Sequence, residues 1–217
     1  MKLMKVESDR SNFLSETTKL KTEMCVSSFS DLSIDHFNFL LNYNFNTKAN
    51  DYLVGHIKDQ YIYDYWPKDF ENYLINKVLN DDALMNQAKQ LNLVDENSSL
   101  FLSGLWINKQ KKYEFNPIHL HVGVFSFIIP LQIPYDLNEE DKNLHGGRDN
   151  VPSASRLTFL KIRNNPLDQI HQFVVNMDKS YVGKVLMFSS TLNHMVYPFY
   201  TSDEYRITVS GNITKEE

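Results

Sequence analysis

Two histidines alternate in the run Asn116-Pro117-Ile118-His119-Leu120-His121, which opens a stretch with strong β patterning. On an extended strand, residues i and i+2 share a face with Cα atoms roughly 6.5–7 Å apart, so both rings can reach one ion held at about 2.0–2.1 Å. A third histidine, His194, follows the apolar run 184–188, and Arg206 then opens Arg206-Ile207-Thr208-Val209-Ser210. Alternation aims Arg206, Thr208 and Ser210 at one face. These residue types suit a divalent metal held by imidazoles beside a cation that takes an anion. A histidine in a strand is ordinarily a packed or surface residue, so the His-x-His pair alone supports either reading. Arginine sharpens the choice. The chain has five, at 10, 148, 156, 163 and 206, and the last interrupts an otherwise apolar β run. An arginine on an inward face needs an anionic partner because an unpaired buried charge is costly, and a bidentate carboxylate ligand would supply it.

Composition narrows the classes. The 217 residues are 42% hydrophobic and 13% aromatic, enough for a folded core. With 22 basic and 27 acidic side chains the net charge is −5, which disfavours general nucleic-acid binding. The one cysteine, Cys25, excludes an intramolecular disulfide and a cysteine-rich zinc site, so any metal must be held by histidine and carboxylate. Charges interrupt every apolar pair near the N-terminus, and no membrane span is expected there or elsewhere. A soluble, cytoplasmic protein is the expectation.

The elements that must position these residues come in two blocks. Residues 1–28 read as a polar arm or edge strand, and 29–217 as one domain, helical over about 64–95 and β over about 99–213. The register of 34–45 is ambiguous between helix and strand. Pro67 suits a first helical turn, and Phe70, Tyr73, Leu74, Lys77 and Val78 follow at spacings of three and four. A second helix is expected from Asp81, burying Leu84, Ala88 and Leu91. Strands are expected at 100–108, 118–133, 156–162, 170–176, 184–188 and 204–213. Consecutive strands without helical periods imply a mainly β antiparallel sandwich or jelly roll. Trp106 and the alternating Phe125, Phe127, Ile129 and Leu131 read as core. His36, His56, His145 and His171 read as structural or surface histidines. Lys109, Lys111 and Lys112 form a small cluster best read as a solvated edge. The polar stretch 135–155, with His145-Gly146-Gly147-Arg148 at its tip, is either a lid or a surface insertion.

The run from Gly183-Lys184-Val185-Leu186-Met187-Phe188 through His194-Met195-Val196-Tyr197-Pro198-Phe199 to Glu204-Tyr205-Arg206-Ile207-Thr208-Val209-Ser210 resembles the C-terminal signature of Fe(II)- and 2-oxoglutarate-dependent oxygenases. Trp106-Ile107-Asn108 and residues 114–121 resemble the metal-strand region of oxygenases of this superfamily found in tailed phages, and the likeness extends over about 50–213. The resemblance implies a double-stranded β-helix with iron at its mouth and N-terminal helices packed outside. It puts His194 on the distal histidine, Arg206 on the arginine that pairs with the far carboxylate of 2-oxoglutarate, and Thr208 on the hydroxyl beyond it. His119 matches the proximal histidine. The departure is His121, which stands where the usual triad of two histidines and a carboxylate has its acid. Alternatively, His121-Val122-Gly123 resembles the variant without a protein carboxylate, leaving His119 outside the ligand set. Ser210, Asn108 and Ser126 are further candidates to line the cofactor pocket.

The implied activity couples oxidative decarboxylation of 2-oxoglutarate to succinate, using Fe(II) and O2, with hydroxylation or another oxidation of a substrate. No catalytic residue beyond the metal centre is required. A peptidyl residue, a nucleobase and a small metabolite all fit as substrates. The alternatives are a cupin-type three-histidine dioxygenase that does not use 2-oxoglutarate, and a non-enzymatic jelly-roll structural protein.

Overall fold

The computed structural model describes residues 26–27, 29–142, 153–162 and 170–216. In chain order the elements are β1 (Ser30–Asp31), α1 (Ile34–Leu41), β2 (Thr47–Lys48), β3 (Asp59–Ile62), α2 (Lys68–Leu79), α3 (Asp82–Gln90) and β4 (Leu100–Gln110). They continue as β5 (Asn116–His119), β6 (Phe125–Gln132), α4 (Leu137–Lys142), β7 (Leu157–Ile162), β8 (Ile170–Val175), β9 (Lys184–Ser189), β10 (Asn193–Val196) and β11 (Arg206–Lys215). Two antiparallel sheets result, a seven-stranded one in the order β1-β9-β6-β11-β4-β3-β2 and a four-stranded one in the order β5-β10-β7-β8. This is the double-stranded β-helix. No helix among the described residues is long and apolar enough to cross a membrane.

Alternation divides the large sheet into two faces with different jobs. Leu105 and Ile107 of β4, Phe125, Phe127, Ile129 and Leu131 of β6, and Val209 and Ile213 of β11 point outward, under α2 and α3. There they meet Phe70, Leu74, Val78, Leu84 and Ala88, all buried. The expected helix stripes therefore hold, with Asp81 capping α3 through its side chain at Leu84 N. Leu91 departs from expectation: it ends α3 as the C-cap and is 47% exposed. A second core, containing Phe159, Phe188, Leu157, Val175, Met177 and Phe199, fills the space between the two sheets.

The sequence run 118–133 is two strands rather than one. β5 ends at His119 and β6 begins at Phe125, with a bend between them in which Gly123 adopts φ +100°. A Cβ there would also press on the Ile213 carbonyl at 3.0 Å, so glycine is set by the backbone. β10 was not expected at all, and the ambiguous segment at 34–45 holds the helix α1. Val26 bridges to Phe188 and β1 pairs with β9.

Gly211 sits where β11 crosses beneath the helices. A Cβ would come within 2.5 Å of both the Gly104 carbonyl and the Phe127 ring. We expect Gly211→Ala to destabilise the fold by about 1–3 kcal/mol, the usual cost of overpacking a core, as read from urea unfolding. A variant as stable as the wild type would show that the sheet can shift to admit the methyl.

Candidate metal centre

His119 and His194 meet because β5 and β10 pair with these two residues directly opposite each other. Their ring centroids are 4.3 Å apart. His121 arrives differently from the expectation of a shared strand face. It lies past the end of β5, its N–H bonded to the Ser190 carbonyl at 2.9 Å, and it turns back so that its ring is 5.0 Å from each of the other two. One nitrogen of each ring lies within 4.8 Å of the others, forming the one such group of potential ligands found among the described residues.

Hydrogen bonding orients two of the rings. His119 Nδ1 lies 2.7 Å from the Pro117 carbonyl and His194 Nδ1 lies 3.0 Å from the Leu192 carbonyl. A carbonyl only accepts, so Nδ1 carries the hydrogen in both, and each Nε2 lone pair is free to bind a metal. His121 Nε2 is 3.2 Å from His194 Nε2, close to the roughly 3 Å that separates adjacent nitrogens each about 2.1 Å from one ion. Trp106 packs at a tilt against His121 with ring centroids 5.4 Å apart, and Phe188 and Phe159 flank His194, which is the buried one of the three rings. Trp106 is buried, as expected of a core residue, and it also lines the cavity beside the rings. Burial depresses all three imidazoles, that of His121 to about 4 and that of His194 to about 3, with mutual repulsion adding to both. Each is a neutral ligand at pH 7.

A cavity of about 620 Å³, counting its open mouth, joins these rings to a polar row on the inner face of the large sheet. The register of β11 against β4 creates the row, pairing Arg206 with Gln110, Thr208 with Asn108 and Ser210 with Trp106, and all six line the cavity. Gln60 Nε2 donates to Asn108 Oδ1 at 2.8 Å, which turns the Asn108 amide nitrogen away from that contact. Ser126 is elsewhere. Its hydroxyl donates to Asn212 Oδ1 at 2.9 Å and meets Ser190 Oγ at 3.0 Å, and it is not part of the cavity wall. The strand opposite it at that level, with Asn212 facing Ser126, satisfies its polarity before the cavity begins.

Arg206 is 4% exposed and forms no ion pair with the described residues. Its N–H groups go to Gln110 Oε1 from Nε (3.1 Å) and Nη2 (2.6 Å), to Tyr135 Oη (3.1 Å), to the Ser155 carbonyl (2.6 Å) and to the Tyr197 carbonyl (3.0 Å). The expected anionic partner is therefore not a residue of the described chain, and neutral oxygens hold the guanidinium in place. Tyr135 and Ser155, the two ends of the polar stretch 135–155, are tied by a 2.9 Å bond from the phenol to the Ser155 carbonyl. The His145-Gly146-Gly147-Arg148 tip lies outside the described residues. Of the remaining histidines, His36 pairs with Asp69 and His56 stacks on Phe115, both away from the cavity. Lys109 departs from the expected solvated edge, since it lies half-buried on β4 between β11 and β3 with its ammonium over Phe45; Lys111 lies over Tyr205 and Lys112 pairs with Asp203.

A 2OG-Fe(II) oxygenase family model matches residues 104–212, half of the chain, and spans all three histidines and Arg206. The chain belongs to that family. The fold is similar to the crystal structure of a Pseudomonas putida prolyl-4-hydroxylase, at 14% identity and TM-score 0.51 over 94% of this chain and 100% of that one. An oxidoreductase of the 2OG-Fe(II) oxygenase family from Burkholderia pseudomallei matches at 13% identity and TM-score 0.48, over 93% and 89% of the two chains. No curated protein matches. The protein is an oxygenase enzyme of this family, and Fe(II), 2-oxoglutarate and O2 are its cofactor and co-substrates. The donor set fits them: three neutral imidazoles face one point, and a buried cation without a counter-anion among the described residues lines the same cavity.

Because the folded chain keeps His194 and His121 neutral below pH 6.5 while the unfolded chain protonates them, the unfolded state binds more protons on acidification. Stability of the metal-free oxygenase should fall as pH drops from about 7 to 5, by about 1–2 kcal/mol for His194. Denaturant unfolding of wild type and His194→Gln at both pH values checks this: the variant should lose less. An equal loss in the two proteins would contradict it.

Proposed function

We propose that His119, His121 and His194 hold the ferrous ion, and that Arg206 takes the distal carboxylate of 2-oxoglutarate, with Thr208, Ser210 and Asn108 lining its path. The observation carrying this reading is the pairing, in one cavity, of three converging neutral imidazoles with a buried guanidinium that meets only uncharged oxygens. Thr208 supports it, being in phase with Arg206 on β11 and two residues nearer the rings' level. His121 stands in the ligand set in place of a carboxylate, so the protein contributes one negative charge fewer than the usual triad. The alternative in which His119 is excluded is disfavoured by the orientation of its Nε2, since Pro117 fixes the other nitrogen.

When bound, iron with 2-oxoglutarate and O2 supplies an oxidant, converting 2-oxoglutarate to succinate and CO2 while one oxygen atom enters a C–H bond of the substrate. The chain's own work is placement and exclusion. Pro117 and Leu192 fix two ligand tautomers. Phe159 and Phe188 cover His194, and Trp106 packs against His121. Arg206 orients the co-substrate through its far end, leaving the near end to the metal. No general base or nucleophile is needed. Residues 29–217 would form the catalytic unit and 1–28 an arm, of which Val26 and Ser27 pair with β9, and the substrate would be an organic molecule.

Anaerobic titration of the protein with Fe(II) and 2-oxoglutarate tests the assignment. A visible charge-transfer band should grow in wild type and be lost in His194→Ala, and Arg206→Ala should need at least about a hundredfold more 2-oxoglutarate to reach it. Metal binding that 2-oxoglutarate does not alter would favour instead a three-histidine dioxygenase without that co-substrate.

A further inference from the structure

Gln110 and Arg206 face each other across the β4–β11 register, and both line the cavity. Gln110 is 3% exposed. Its amide is oriented without ambiguity, because Nε2 donates to the Glu114 carbonyl and only Oε1 is left to face the guanidinium. That single oxygen accepts from both Nε and Nη2 of Arg206, filling the place a carboxylate would occupy in an ion pair. The other partners of Arg206, namely Tyr135, Ser155 and Tyr197, are equally uncharged. The second described arginine is treated in the opposite way. Arg156, 3% exposed, is gripped by Asp141 at 2.6 and 2.9 Å, so its charge is already answered within the chain.

We propose that Gln110 is a positioning residue that fixes the Arg206 guanidinium through a neutral acceptor and so keeps its positive charge for an incoming carboxylate. Hydrogen bonding and charge are separable here. The donors of a buried arginine must be satisfied to avoid a desolvation cost, but neutral oxygens satisfy them without cancelling the field. An arriving carboxylate replaces neutral acceptors with a charge-assisted pair, which is the stronger bond. A glutamate at 110 would still offer an oxygen to the guanidinium, but it would lose the donor to the Glu114 carbonyl and would answer the charge, weakening the affinity for a carboxylate. The proposal rests on the reading that Arg206 takes the distal carboxylate of 2-oxoglutarate.

The test is a calorimetric titration of 2-oxoglutarate into Mn(II)-loaded wild type, Gln110→Glu and Gln110→Met. Mn(II) binding is followed separately by electron paramagnetic resonance, and unfolding curves confirm that each protein is folded. Gln110→Glu should bind 2-oxoglutarate about a hundredfold more weakly than wild type, and Gln110→Met, which removes the acceptor but adds no charge, within about tenfold of it. Mn(II) binding should be unchanged in both. Equal weakening in the two variants would make Gln110 a merely structural residue and overturn the proposal, as would wild-type affinity in Gln110→Glu. Should Gln110→Glu not fold, a folded Gln110→Met that has lost 2-oxoglutarate as completely as Arg206→Ala would overturn it too. Wild type that binds Mn(II) but not 2-oxoglutarate would overturn the reading of Arg206 itself, a failure distinct from that of Gln110.

Discussion

The register of β11 between β6 and β4 is the constraint on which the site depends. Its ten residues pair with β4 and those from Ile207 to Ile213 pair with β6 as well, and alternation sends Val209 and Ile213 toward the helices while Arg206, Thr208 and Ser210 face the cavity. A slip of one residue would exchange the faces, putting the guanidinium under α2 and the aliphatic side chains in the cavity. Close packing on the outer face opposes such a slip, because Gly211 fits against Gly104 and Phe127 with no space for a Cβ. The apolar half of the large sheet thus fixes the place of its polar half. The small sheet adds the histidines by a similar device, setting His119 opposite His194.

Two electrostatic environments coexist in this cavity. At one end, burial makes the imidazoles neutral and keeps their lone pairs available. At the other, a guanidinium keeps its charge because its partners are neutral oxygens. A cofactor and co-substrate that bring a dication and a dicarboxylate answer both ends together. On the proposed ligand set, with histidine at 121 rather than an acid, the assembled site would be one positive charge richer than a site built on the usual triad.

Much of this was legible in the sequence because it follows from short-range periodicity. The inward row of Arg206, Thr208 and Ser210 is a plain period of two, and the stripes of α2 and α3 are plain spacings of three and four. Other features depend on where the chain returns. The strand carrying His194 has four residues, too few for periodicity to declare it. His121 reaches the site through a bend, so the strand geometry that pairs it with His119 in the sequence is the wrong reason for a convergence that does occur. Ser126 has the right phase but faces Asn212, a partner 86 residues away. Gln110 could have been found, since it continues the alternation of Trp106 and Asn108 on β4. Tyr135 carried no local signal, for its role exists only where the stretch 135–155 closes on Arg206.

The central claim is a metal held by three imidazoles. X-ray absorption on the anaerobic Fe(II)-loaded protein counts imidazole rings by their outer-shell scattering, which oxygen ligands do not imitate. Three rings in wild type and two in His121→Ala are the predicted result. Two rings in both proteins would place His121 outside the ligand set and contradict the account.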